Sequence, residues 1–316
     1  MRRRTFLTMM AGGFAALKTA SLPTTAAAGP GLAITMDDPK PDDMAGMTGS
    51  EINRRILAAL HGDALHGANL KAALFCTGMR IDNPAGPPLI AAWDAAGHLI
   101  GNHTYSHRFY NSEKTTYDAF AADFLKNEPL IRGYKHFTKL FRYPFLKEGD
   151  TAEKRDRFRE LLKEQGYRVG HVTIDASDWY IDQRMRARLE KDPKADTRPY
   201  RDYYLNHIRD RAQYYRQLAR DVLGRDIHHI LLIHHNPLNA LYLSDLLASL
   251  KGDGWNLIDA RDAFRDPVFR REPKTVPAGE SLVWALARES GNYEGKLRYP
   301  GEDDVYEKPK MDALGL

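Results

Sequence analysis

A single cysteine, Cys76, stands among 316 residues. An internal disulfide is therefore excluded, and stability must come from a packed core. Beyond the first 28 residues no apolar run is long enough to span a bilayer. No repeat or low-complexity block interrupts the chain, which argues against a solenoid or a flexible array. Surplus charge is also missing once the N-terminus is set aside. Residues 1–28 hold Arg2, Arg3, Arg4 and Lys18 and no acid, so Lys+Arg falls from 46 to 42, against 42 Asp+Glu. A near-neutral chain gives no electrostatic case for nucleic acid or anionic membranes.

The N-terminus has a basic start, an apolar stretch and a small-residue end at Ala26-Ala27-Ala28. This is the pattern of a secretory signal. Arg3-Arg4-Thr5-Phe6-Leu7 also resembles the twin-arginine export signal, an ordinary signal with surplus arginines being the alternative. Both readings predict export to the periplasm or beyond, with no transmembrane segment in the mature chain. What remains, about 290 residues, is enough for one large domain or two small ones.

Strand-like apolar runs occur at 31–37, 70–76, 98–102, 139–143, 168–174, 229–234 and 255–258. Helical patterns separate them. Thr48 with Glu51 forms a capping-box signal, Pro87-Pro88 opens a helix that Gly97 closes, and Asp150 with Glu153 offers a further cap. Regular alternation predicts parallel β/α units, and seven of them predict a barrel, the open doubly wound sheet being the alternative. The Arg-, Asp- and Tyr-rich stretch 180–220 reads as a solvated helical insertion. Three regions result: a signal at 1–28, a catalytic domain at 29–270 and an extension at 271–316.

Reactive residue types cluster just after the strand runs: Asp37-Asp38, His103/His107, Arg142, Asp175/Asp178 and His234. In β/α barrels the loops at the strands' C-terminal ends meet at one mouth. His103 and His107, four apart, share a face if their loop takes a helical turn, although such a pair alone is a weak signal. Asp38 completes a His₂Asp set with open positions, the pattern of a catalytic metal site. Imidazole with carboxylate suits Zn²⁺, with Co²⁺, Ni²⁺ or Fe²⁺ as alternatives. Asp37 and Asp38 need a turn to share one site, because strand neighbours point opposite ways. No Ser or Cys stands in a persuasive nucleophile setting; Cys76, in an apolar run, reads as a buried small hydrophobe.

Five segments in order then carry a family resemblance across residues 31–266: Thr35-Met36-Asp37-Asp38, His103-Thr104-Tyr105-Ser106-His107, Arg142-Tyr143-Pro144-Phe145, Asp175-Ala176-Ser177-Asp178-Trp179 and Leu231-Leu232-Ile233-His234. Together they resemble the polysaccharide deacetylases, the NodB-homology family or carbohydrate esterase family four. The resemblance implies an α/β fold, a distorted (β/α)7 barrel. It also implies a metal-dependent hydrolase that removes N-acetyl groups from amino sugars of a poly- or oligosaccharide. By the same resemblance Asp37 is the general base and Asp38, His103 and His107 bind the metal. Arg142 orients the base, His234 is the general acid and Asp178 tunes it. Phe145 lends a main-chain N–H to the oxyanion, and Trp179 walls the substrate groove. Two departures stand out: Pro39-Lys40 follows Asp38 where the family has Gly-Pro, and His235-Asn236 follows His234, making His235 a rival acid. An O-acetyl esterase, a small cyclic amide hydrolase and a non-catalytic glycan-binding module are the alternative functions. Of the aromatic residues Trp179, Tyr180, Tyr203, Tyr204 and Trp284, most are expected to be packing.

Overall fold

The computed structural model describes residues 30–62 and 69–316; the expected export signal and His66 lie outside them. In chain order the elements are β1 (Gly31–Asp37), α1 (Gly49–His61), β2 (Ala73–Cys76), α2 (Gly78–Ile81), α3 (Gly86–Ala95), β3 (Leu99–Asn102), α4 (Tyr117–Ile131), β4 (Phe137–Phe141), β5 (Lys147–Gly149), α5 (Ala152–Glu164) and β6 (Arg168–Val169). There follow α6 (Asp178–Lys191), α7 (Arg198–Leu223), β7 (His229–His234), α8 (Pro237–Gly252), β8 (Asn256–Leu257), α9 (Ala260–Ala263), β9 (Ala278–Gly279), α10 (Leu282–Ser290) and α11 (Asp304–Ala313).

Seven parallel strands form one sheet in the order β6-β4-β3-β2-β1-β7, with β8 beside the start of β1. They fall on the seven apolar runs. The sheet curls because the segment after β6 bonds to both edges. Gly170 N donates to Phe141 O at the end of β4, and Thr173 and Ile174 N donate to Ile230 O of β7. Leu232 N in turn donates to Ile174 O. The result is a distorted β/α barrel, the first of the two architectures expected from the alternation of the sequence.

Strand periodicity sorts the side chains. Along β1, Leu32, Ile34 and Met36 join the helix layer, whereas Ala33 joins Ala73, Phe75, Leu99, Leu140 and Ile230 in a separate interior cluster. Thr35 and Asp37 follow Ala33 on the inward parity. The strands rise from an apolar floor, plugged by Ala260, Ala263 and Phe264 of the α9 region, to a polar mouth. The Phe75 ring fills the interior, and Gly170 leaves room for it. A Cβ at Gly170 would lie 2.5 Å from Phe75 Cζ. Gly170→Ala is therefore expected to cost ~1–3 kcal/mol through overpacking. A lowered urea midpoint with unchanged slope would show it, and an unmoved midpoint would refute the packing account.

Three expectations need correction. The stretch 180–220 is not a solvated insertion: α7 buries Tyr200, Tyr204, Ile208, Ala212, Tyr215 and Ala219 in the main core. Its charged composition hides an apolar stripe at helical spacing. The cap of α5 is Thr151, whose side chain accepts from Lys154 N, while Asp150 pairs with Lys154 Nζ at 2.7 Å. Thr48 does cap α1 by accepting from Glu51 N, but Glu51 turns to Arg54 and Arg55 instead of closing a capping box. Segments of 271–316 enter the body of the fold. β9 pairs with β5, and α10 buries Leu282, Val283, Trp284 and Leu286. Among the described residues no helix is long and apolar enough to cross a membrane.

Candidate active site

Parallel register sets Asp37 level with His234 on one side and Phe75 on the other. These strand ends open into a cavity of about 580 Å³ lined by Asp37, Asp38, His103, His107, Phe145, Trp179 and His234, among others. The sequence-predicted clusters thus converge, Arg142 and Asp178 lying just behind the lining.

Asp38 has φ 60°, in the left-handed region. That turn lets two adjacent carboxylates serve one cavity. Asp38 Oδ1 accepts from Thr77 Oγ1 at 2.5 Å and lies 3.1 Å from Arg80 Nε. The His103–His107 loop departs from expectation, for it takes no helical turn. Thr104 (φ 62°) and His107 (φ 55°) bend it instead, and the rings meet edge-on at 4.9 Å. Asp123 of α4 pins the bend, accepting from Ser106 Oγ at 2.6 Å and Ser106 N at 3.0 Å. Phe145, Leu146 and Glu280 around the cavity are also left-handed. Strain of ~1–3 kcal/mol at each such residue marks a site over-determined by its surroundings.

Nitrogen and oxygen atoms of Asp38, His103 and His107 lie within 4.8 Å of one another. Their chemistry fits a divalent cation. Burial pushes both imidazoles down to about 4, so they are neutral donors at physiological pH. Burial opposes ionisation of Asp38, but His107, His103 and Arg80 outweigh it and hold the carboxyl well below the usual range. With both rings neutral, Arg80 is the standing positive charge beside it. His103 Nδ1 lies 2.8 Å from Arg142 O, a bond that fixes the tautomer with Nε2 free for a ligand role.

Asp37 is held differently. Arg142 Nη1 donates to both its oxygens at 3.1 and 3.2 Å, while Nη2 donates to Thr35 Oγ1 and Nε to Gly170 O at 2.5 Å. The guanidinium also lies 4.3 Å from the Phe75 ring centre. Burial pushes Asp37 up to about 6 against the pull of Arg142. The two neighbouring carboxyls are thereby driven apart, as roles of base and ligand demand.

Beside Asp37, at the end of the neighbouring strand β7, His234 Nδ1 lies 2.8 Å from Asp178 Oδ1. Asp178 Oδ2 accepts from His234 N, Asn236 Nδ2 and Asn239 Nδ2 at 2.9–3.0 Å. Burial would lower the His234 pKa, but the Asp178 carboxylate outweighs it and pushes it up to about 9. His235 faces elsewhere. Its Nε2 meets Asn53 Oδ1 at 3.1 Å, Lys40 N donates to its Nδ1 at 3.5 Å, and burial pushes it down to about 4. Trp179 is 37% exposed on the cavity wall, and Phe145, 53% exposed, packs 4.5 Å from His107. Tyr204 and Trp284 are buried in packing, and Cys76 is a buried thiol pushed up by desolvation.

The sequence reading assigns no role to Thr77 and Arg80, although the strand-end rule applied to β2 points to both. Phe109, Lys147, Glu280 and Glu302 also line the cavity. Glu280 and Glu302 come from the C-terminal segment, and nothing local announces them. A second cluster, His207 with Glu302 and Glu307, is a strut and not a ligand set. Its imidazole accepts from Ser177 N at 2.9 Å and faces Glu307 at 3.4 Å, engaging both ring nitrogens. It ties α7 and α11 to the segment that carries Asp178.

Residues 29–170 match the profile of the family described as polysaccharide deacetylase. A peptidoglycan-N-acetylglucosamine deacetylase of Bacillus cereus is 28% identical over 118 residues, 37% of this chain and 39% of that protein. The match therefore spans well under half of the relative's length. Among solved structures, the chitin deacetylase of the fungus Colletotrichum lindemuthianum superposes with a TM-score of 0.50 at 21% identity, covering 75% of this chain and 89% of that one. That likeness concerns the fold. The similarity to the polysaccharide deacetylase family thus covers residues 29–170, a little under half of the chain.

Proposed function

We propose that the protein is an exported, divalent-metal-dependent hydrolase that removes N-acetyl groups from amino sugars of a poly- or oligosaccharide. The observation that carries this reading is the pair at the ends of two neighbouring strands, Asp37, pushed up to about 6, and His234, pushed up to about 9, in one cavity with a three-ligand cluster. At neutral pH the base is empty and the acid is loaded. Amide hydrolysis needs both, since an amine does not leave as an anion.

Asp38, His103 and His107 would hold the ion, Zn²⁺ first among candidates. Such an ion supplies a Lewis acid for the acyl carbonyl and lowers the pKa of water. Asp37 takes the proton of the attacking water, and Arg142 keeps it oriented. The main-chain N–H of Phe145 steadies the developing oxyanion, a contribution indifferent to its side chain. His234 then protonates the leaving nitrogen, and Asp178 stabilises the imidazolium. Trp179 and the exposed Phe145 ring offer apolar faces to the sugar.

The test is product analysis of zinc-reconstituted protein on N-acetylated chitooligosaccharides and on acetyl-xylan. Acetate released with an equal amount of free amine is expected. Acetate from acetyl-xylan alone would select an ester hydrolase, and glycan binding without acetate a binding module.

A further inference from the structure

Two parts of the cavity wall differ in charge. On one, burial with Glu302 and Glu280 pushes Asp175 up to about 8, and burial against Lys147 pushes Glu280 up to about 7. Glu280 accepts from Lys147 Nζ. Glu302 is answered by Arg211 Nη1 at 3.1 Å and Arg298 Nη1 at 2.9 Å. Protons and partners compensate this acidic wall.

The other carries Lys40, Arg80 and Arg186, with both guanidinium groups near enough to act on the Lys40 charge. Asp182 is already engaged, by Arg186 Nε at 2.7 Å and Leu238 N at 3.1 Å. Asp38 belongs to the proposed metal set. Arg80 Nε lies 3.1 Å from Asp38 but is buried without a hydrogen-bond acceptor in line. Among the described residues the Lys40 ammonium has no hydrogen bond or ion pair; its only bond runs from its main chain. That main chain is fixed from below. Lys40 N donates to His235 Nδ1, His235 Nε2 meets Asn53 Oδ1, and Trp93 Nε1 donates to the same oxygen at 2.6 Å. Both departures from the family pattern, Pro39-Lys40 and His235, are thus parts of one device that holds a cation at the wall. Asp38 and Asp182 act on this ammonium only at longer range, and a half-buried ammonium with no carboxylate in contact is costly unless a ligand supplies one.

We infer that Lys40, Arg80 and Arg186 form an anion subsite selecting glycans whose acetylated amino sugar, or its neighbour, bears a carboxylate. The forked guanidinium groups suit a planar carboxylate, and the ammonium adds a point charge. Arg80 sits beside Asp38, so the anion would lie within one sugar of the scissile amide. The inference rests on the deacetylase reading, but the two fail differently.

Acetate release is compared between neutral chitotetraose, a peptide-stripped peptidoglycan tetrasaccharide bearing lactyl carboxylates, and 6-O-sulfated chitotetraose. Calorimetric binding of each is measured in parallel. A kcat/KM and affinity ratio favouring the carboxylate glycan on the order of tenfold is expected. The ratio should shrink as salt rises from ~0.05 to ~0.5 M. It should collapse in Lys40→Gln and in Arg186→Gln and persist in Lys40→Arg. Equal ratios in every protein, with acetate still released, would overturn the subsite and leave the deacetylase reading standing. Absence of acetate from all three would overturn that reading, and the binding ratio would still decide the subsite. Preference for sulfate alone would overturn the carboxylate assignment.

Discussion

Replacing Asp37 by Asn is expected to lower kcat for acetate release by ~10²–10⁴-fold, the usual contribution of a positioned general base. The substitution keeps the side-chain volume and one acceptor for Arg142 Nη1 but cannot take a proton. Arg142 is fully buried, and its bonds to Thr35 Oγ1 and Gly170 O remain. Losing the carboxylate still leaves that guanidinium without its counter-ion. Some destabilisation therefore accompanies the rate loss, below the ~3–5 kcal/mol of a fully broken buried pair. Single-turnover acetate release and the urea midpoint separate the two effects. Activity within tenfold of the unaltered protein would remove Asp37 from the role of base.

The second large effect is expected of Asp178→Asn. For the unaltered protein, kcat/KM should fall below pH about 6 as Asp37 protonates, and above about 9 as His234 loses its proton. An ion at Asp38 adds positive charge near Asp37 and would move the acid limb lower. Asparagine removes the charge that raises His234, so the basic limb should drop toward ~6.5, with ~30-fold less activity at pH ~8. Asparagine also offers one acceptor where Asp178 answers His234 at Nδ1 and N, Asn236 and Asn239. The linkage has a definite sign. His234 is raised in the folded state, so its pairing stabilises the fold fully below the unfolded pKa of ~6.5 and loses that effect as pH rises through about 9. A pH–rate profile unmoved in Asp178→Asn would contradict the pairing.

Much of this site was legible because parallel strands end at one mouth. Asp37, His103, Arg142 and His234 are each the last residue of an observed strand or the one after it, and periodicity alone puts Asp37 with Thr35 and Ala33 on the inner face. What the local sequence hides is of two kinds. Asp38, Thr104 and His107 adopt left-handed turns that no glycine announces, so the His pair was expected on a helical turn that does not exist. Lys147, Glu280 and Glu302 reach the cavity through β5–β9 pairing and the return of the C-terminal segment. Such approaches arise only from tertiary packing. The burial of α7 was obscured for another reason: its apolar stripe is made largely of tyrosines set among arginines and aspartates.

Catalysis as proposed requires one ion held by Asp38, His103 and His107 beside Asp37. The most direct measurement titrates metal-stripped protein with Zn²⁺ and follows bound metal and acetate release together. Activity should be absent without metal, rise in proportion to occupancy and saturate at one ion per chain, with neither binding nor activity in His103→Ala. Full acetate release by the metal-free protein, or undiminished zinc binding in His103→Ala, would contradict it.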